Sequence, residues 1–218
     1  MTEAELRDEI CRVGASMFAR GYVHATAGNI SARLPDGFLI TPTDACLGTL
    51  VPARLAKVTP SGEQVGGDRA SKTLALHRRI YDAADTAGCV IHTHSTNLVA
   101  LTLAGVWSND DILPPITPYF VMKVGHVPLI RYHRPGDPTV GDLVAAAIES
   151  RRASGIDLRA VMLDRLGPNV WGATPAATMA ILEELEETAR LWLMTNPRPV
   201  HLDAAALAQL RDVFGAAW

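Results

Sequence analysis

The run Cys89-Val90-Ile91-His92-Thr93-His94 constrains this chain more than any other stretch. Ala87-Gly88 turns into it, and its apolar residues read as a short strand. Side chains in a strand alternate between faces, so Val90, His92 and His94 share one side while Cys89, Ile91 and Thr93 share the other. Two imidazoles at i and i+2 can grip one divalent transition cation. The same spacing also suits a pair of polar residues on a solvated strand face, and the two readings stand open at this point.

Helical and extended patterns alternate around that strand. Leu6, Ile10, Val13, Met17 and Phe18 recur at steps of three and four, which predicts an amphipathic helix over residues 3–20. Asp36-Gly37 between apolar runs marks a β-hairpin, with Phe38–Thr41 as its returning strand. Ala56–Thr59 reads as a strand, and residues 63–70 as a polar, Gly-rich loop. Ser71-Lys72 opens a helix, with Ser71 as cap and Leu74, His77, Ile80 and Tyr81 on its inner face. Ser95–Ala104 reads as helix, and residues 114–119 as an ordered loop, because three of its residues are proline. Val127–Ile130 reads as a strand, and Thr139 caps a helix through Ile148. Ala160–Leu163 reads as a strand, followed by a turn at 166–169 and a returning strand at 170–172. Thr174-Pro175 starts a long helix whose Glu183, Glu184, Glu186 and Glu187 lie mostly on the solvated side. A last helix runs from about Asp203 to Phe214. This order predicts one α/β domain over residues 1–218, with a central, mostly antiparallel sheet flanked by helices.

Composition narrows the function class. The net charge is −3 and no Lys/Arg cluster occurs, which argues against a nucleic-acid or membrane-surface partner. Cys11, Cys46 and Cys89 are widely spaced and odd in number, as expected of reduced thiols rather than a disulfide framework. The acidic start Met1-Thr2-Glu3-Ala4-Glu5 carries no signal-peptide apolar region, and no stretch is long enough to span a bilayer. A cytoplasmic location is the expectation.

Two polar loops flank the histidine strand. Thr26-Ala27-Gly28-Asn29 can offer backbone N–H groups and an amide to an anion, or simply turn into a strand. Thr41-Pro42-Thr43-Asp44 is a candidate wall of the same site. The helix start at Ser71, with Lys72 beside it, suits a phosphate or carboxylate.

Taken together, Gly28-Asn29-Ile30-Ser31-x-Arg33, Ile40-Thr41-Pro42-Thr43, Ser71-Lys72 with His77, and His92-x-His94 resemble, in order and spacing, the class II aldolase/adducin family. The resemblance spans about residues 5–195, leaving 196–218 as a C-terminal helical tail, and implies the family's three-layer fold. It is closest to the 3-oxo-tetronate 4-phosphate decarboxylase branch through Lys72, Pro114–Gly125, Tyr132–Pro138 and Glu183–Arg190. That branch implies a lyase converting a phosphorylated 3-oxo sugar acid to dihydroxyacetone phosphate and carbon dioxide. The resemblance makes His92 and His94 ligands of one divalent metal ion (Zn, Mn, Co or Mg). It places Asn29, Thr43, Asp44 and Ser71 in a phosphate pocket, and Lys72 in the acid/base position. Tyr119 would reach a neighbouring subunit's site within a homotetramer. One departure stands out: Leu166-Gly167 occupies the place of a His-Gly pair whose histidine is the family's third imidazole ligand. The metal would then be held by two imidazoles with water or substrate, or by a substitute among His24, His77, His126 and His133, or held weakly. An aldolase or epimerase on another sugar phosphate, or a non-catalytic adducin-like assembly role, are the alternatives.

Overall fold

The computed structural model describes residues 1–218. Its elements in chain order are α1 (Glu3–Ala19), β1 (Asn29–Leu34), β2 (Gly37–Ile40), β3 (Ala56–Val58), β4 (Gln64–Gly66), α2 (Leu74–Ala83), β5 (Cys89–His92) and α3 (Thr96–Ala104). Then follow α4 (Pro118–Lys123), β6 (Leu129–Ile130), α5 (Thr139–Ala153), β7 (Ala160–Leu163), β8 (Gly167–Gly172), α6 (Pro175–Met194) and α7 (Ala204–Phe214).

Local chemistry sets many of these boundaries. A reciprocal capping box starts α1: Glu5 N–H donates to Thr2 Oγ1, and Thr2 N–H donates to Glu5 Oε2. Leu34 pairs with Gly37, so Pro35-Asp36 closes a tight hairpin between β1 and β2. Thr174 accepts from Ala177 N–H at 3.2 Å, and Pro175 supplies the first turn of α6.

The strands form one eight-stranded sheet in the order β4-β3-β2-β1-β5-β8-β7-β6. Every neighbouring pair is antiparallel except β6 with β7. Strand parity then assigns the two faces. Cys89 and Ile91 join a cluster with Ile10 and Met17 of α1, Leu101 of α3 and Leu185 of α6. Val90 joins a second cluster with Ile80 and Tyr81 of α2 and Val144 and Ile148 of α5. Each such side chain contributes about 1.5–3 kcal/mol by leaving water, which is why the sheet is sandwiched in three layers. His92 follows Val90 at the same parity, so it lies on the α2 side at the end of β5.

Several sequence expectations are corrected. Gln64–Gly66 is a short edge strand rather than loop, held by pairing with β3. Helix α2 begins at Leu74, so Ser71 precedes it instead of capping it; the intervening residues form a tight turn. Thr139 is the first residue of α5, and Asp137 accepts its N–H and hydroxyl. Tyr119 lies on α4, a short helix that the prolines disguised: Pro118 sits in its first turn, where no N–H is needed. Strand β8 begins at Gly167 rather than 170, and contains Pro168. Glu186 is buried, not solvated: it accepts from the N–H groups of Asn97 and Leu98 and from Asn97 Nδ2. A carboxylate there satisfies the free donors and the positive dipole end of α3.

The tail packs back on the domain. Leu210 of α7 and Ala216 cluster with Val121 of α4, and the Trp218 ring stacks on His126 at 4.4 Å. No helix is long and apolar enough to cross a membrane, and all three cysteines are free.

Candidate active site

His92 and His94 come together, but not from one strand as the alternation predicted: His92 is the last residue of β5 and His94 follows it in irregular chain. Their ring centroids are 5.0 Å apart at an interplanar angle of 71°. β5 ends at His92, and residues 93–95 lead irregularly into α3, whose start Glu186 holds. Two glycines let neighbouring chain press against this segment. A β-carbon on Gly167 would lie 1.9 Å from the Thr93 carbonyl oxygen, and one on Gly28 would lie 3.0 Å from that of His92. Both glycines adopt positive φ, +118° and +84°, which is open to glycine at no steric cost.

The His92 ring is fixed by one hydrogen bond. Its Nδ1 is 2.9 Å from the Pro168 carbonyl oxygen. A carbonyl only accepts, so Nδ1 carries the proton and the neutral ring presents a lone pair at Nε2. Burial, and then the neighbouring His94, lower the His92 pKa to about 4, while the Pro168 bond opposes the shift. His94 is half-buried, and burial followed by the charge of His24 lowers its pKa too. Both rings are therefore held in the neutral form that ligates a metal.

Their burial makes stability pH-dependent. His77 is fully buried; burial and then His92 lower its pKa to about 3. Below about pH 6.5 the unfolded chain binds protons that the folded histidines refuse, so stability should decline as pH falls toward 4 and then 3. Urea unfolding at half-unit pH steps reads this directly. A flat free energy between pH 7 and 5 would contradict the burial of these rings.

The remaining sequence-derived candidates are placed as follows. Asn29 opens β1, is buried, and sits directly across from His92 in register. Thr41 ties it to the next segment: its hydroxyl accepts from Ile30 N–H, its N–H bonds Ile30 O, and its carbonyl accepts from Ser71 N–H. Ser71 is half-buried, with Oγ 2.8 Å from Thr73 Oγ1. The N–H groups of Leu74 and Ala75 bond the carbonyls of Ser71 and Lys72, so the free donors expected of a helix beginning at Ser71 are partly used in the turn. Lys72 is exposed and makes no ion pair within the chain. Thr43 and Asp44 line a cavity of about 420 Å³ with Arg54, Asp68 and Arg69; neither histidine borders it. Asp44 holds a left-handed backbone, φ 56°. Tyr119 is exposed on α4 near Lys123.

Leu166 packs half-buried against the second apolar cluster. None of the candidate substitute histidines completes a triad, and no group of three His, Cys, Asp or Glu side chains is gathered for a metal. His77 Nδ1 pairs with Ser31 Oγ at 2.7 Å, His126 pairs with Asp111, His133 faces Asp137, and His24 is exposed.

Sequence reasoning missed Asn169. It stands opposite His92 on β8 as Asn29 does on β1, fully buried. Neither its Oδ1 nor its Nδ2 has a partner, and Asn29 Oδ1 is likewise unpartnered. The signal was the shared parity of Asn169 and Trp171, hidden because Pro168 argued for a turn. Two neutral imidazoles with unpartnered carboxamide oxygens beside them form a donor set that suits a divalent cation.

Comparison with known proteins agrees with this architecture. The Class II Aldolase and Adducin N-terminal domain matches residues 8–193. A curated protein of Cupriavidus necator named 3-oxo-tetronate 4-phosphate decarboxylase is 57% identical over 100% of this chain and 99% of its own length. One of the same name from Escherichia coli K12 is 40% identical, covering 96% of this chain and 97% of its own. Among solved structures, YgbL of Klebsiella pneumoniae superposes with a TM-score of 0.88 at 40% identity, over 97% of this chain and all of that one. The L-fuculose-1-phosphate aldolase of Thermus thermophilus gives 0.73 at 27% identity, over 87% of this chain and 93% of its own. On motif order, fold, paired histidines and these likenesses, the chain belongs to the class II aldolase and adducin family.

Proposed function

We propose that this protein is a divalent-cation-dependent lyase that decarboxylates a phosphorylated 3-oxo sugar acid, 3-oxo-tetronate 4-phosphate being the best candidate. The observation that carries the reading is the His92–His94 pair, neutral, with Nε2 of His92 unengaged. The names of the relatives at 57% and 40% identity support the substrate class.

His92 and His94 would hold the cation, which as a Lewis acid supplies an electron sink at the substrate's ketone oxygen. The chain's own residues bind and orient. Asn29, Ser71 and Thr43 take the phosphate end, which anchors the substrate without reacting, while the Asp44 carboxylate, which can only accept, takes a hydrogen bond from a substrate hydroxyl. The Lys72 ammonium holds the carboxylate. The bond between carboxyl carbon and C2 breaks, carbon dioxide leaves, and its electron pair passes toward the ketone. Tyr119, offered by a neighbouring copy in a homotetramer, returns a proton to C2 and dihydroxyacetone phosphate results. Three free thiols suit the reducing interior of a cell, where such a substrate would arise.

A second reading, a non-catalytic assembly role, is favoured by the apolar packing of Leu166. The deciding experiment incubates the purified protein with Mn²⁺ and 3-oxo-tetronate 4-phosphate. Carbon dioxide and dihydroxyacetone phosphate in equal amounts are expected. Retro-aldol products instead, or cation binding with no turnover on any phosphorylated 3-oxo acid, would overturn the reading.

A further inference from the structure

Asn29, His92 and Asn169 lie directly opposite one another on the adjacent strands β1, β5 and β8. Directly opposed residues of antiparallel strands project to the same face, with β-carbons about 4.5–5.5 Å apart. The two carboxamides therefore flank the His92 imidazole. Asn169 is the more deeply set, with no exposed surface, and both its polar atoms lack partners. Its same-face neighbours are apolar: Trp171 two residues on, and Val161 across on β7. An unsatisfied buried polar group costs about 1–3 kcal/mol, and a β-branched aliphatic side chain would fill this strand position without that cost. A carboxamide here calls for a ligand that the chain itself does not provide.

The histidine pair points to that ligand. Two imidazoles leave at least two positions of a tetrahedral cation open, and no third His, Cys, Asp or Glu is gathered beside them. Leu166, where the chain turns from β7 into β8, offers only hydrocarbon. We propose that Asn169 supplies its carboxamide oxygen as a third protein ligand to the cation held by His92 and His94. This inference rests on the metal-dependent reading above, and deepens it by naming a ligand and a preference. An amide oxygen in the set moves the site toward Mn²⁺ or Mg²⁺ relative to one built from imidazoles alone.

The test uses the full chain, stripped with chelator and titrated with Co²⁺, whose visible absorption reports its ligands, and with Mn²⁺ by calorimetry. Asn169→Val should weaken affinity for both by at least about tenfold and alter the Co²⁺ bands, with the melting temperature held or raised. Asn169→Asp, which keeps an oxygen donor in place, should bind at least as tightly as the wild type. Leu166→His added to Asn169→Val should restore affinity by supplying an imidazole from the adjoining turn. Unchanged affinity and spectrum in Asn169→Val would overturn the inference while leaving the metal-dependent reading intact; bridging water would then be what satisfies the amide. So would loss in a folded Asn169→Asp as deep as in the valine variant, and this arm decides even if the valine variant fails to fold. A wild type that binds neither cation any better than His92→Ala would overturn both.

Discussion

His94→Ala is expected to abolish turnover and cation binding together while leaving the protein folded. His94 lies just past the end of β5, half-buried, and its ring makes no hydrogen bond within the chain. Its removal therefore strands no buried partner, and the stability cost should stay within about 1 kcal/mol. Losing one of the paired imidazoles should cost more than the roughly 10–100-fold that loss of a mere supporting partner costs a metal site. His92→Ala is a poorer probe, because it also removes the donor to the Pro168 carbonyl and opens a buried space. The comparison needs cation affinity, turnover and a melting curve on the same sample. Wild-type turnover from a folded His94→Ala protein would remove the metal mechanism altogether.

Gly167→Ala should be among the most destabilising single changes available in this chain. The added β-carbon would meet the Thr93 carbonyl oxygen at 1.9 Å, the Thr93 carbonyl carbon at 3.0 Å and His94 Cα at 3.2 Å. All are backbone atoms, so no rotamer change relieves the clash. The backbone φ of +118° adds strain for any residue with a β-carbon. Together these should cost about 3–5 kcal/mol, a large part of the roughly 5–15 kcal/mol that holds a typical domain folded. Whatever protein still folds must move β8 away from residues 93–94, so cation affinity should fall with stability. Gly155→Ala is the matched control: it has positive φ but no atom within 4 Å, so only the backbone term, about 1 kcal/mol, applies. A Gly167→Ala loss no larger than that of Gly155→Ala would mean that β8 does not press on the histidine segment.

Much of this architecture was legible before any coordinates. The step of three and four in Leu6, Ile10, Val13 and Met17 marks the buried stripe of α1, while Phe18, assigned to the same stripe, is exposed. The Asp36-Gly37 signal placed the hairpin, and the parity of Val90 and His92 put both on one face, which the structure turns toward α2. The errors share a cause. Proline disguised both α4 and the start of β8, because its harm depends on whether an N–H is needed at that position, which sequence does not state. β4 is only three residues long and mostly exposed, so only its pairing with β3 makes it a strand. Glu186 looked solvated beside three other glutamates, yet its partners at Asn97 and Leu98 lie 89 and 88 residues away in sequence.

The amino-acid sequence by itself determined which side each residue of a helix or strand would show, because periodicity is a local property of backbone geometry. That was enough to put Val90 and His92 on one face, and the order of the motifs was enough to identify the family; His94 reaches its neighbour through the irregular segment after β5. Only the tertiary structure decided what stands beside them: Asn29 and Asn169 on either flank, Pro168 orienting the ring from 76 residues away, and Leu166 turned toward hydrocarbon. Strand order and register carry that information. They are set by the burial of both sheet faces at once, a sum over the whole chain that no short window contains.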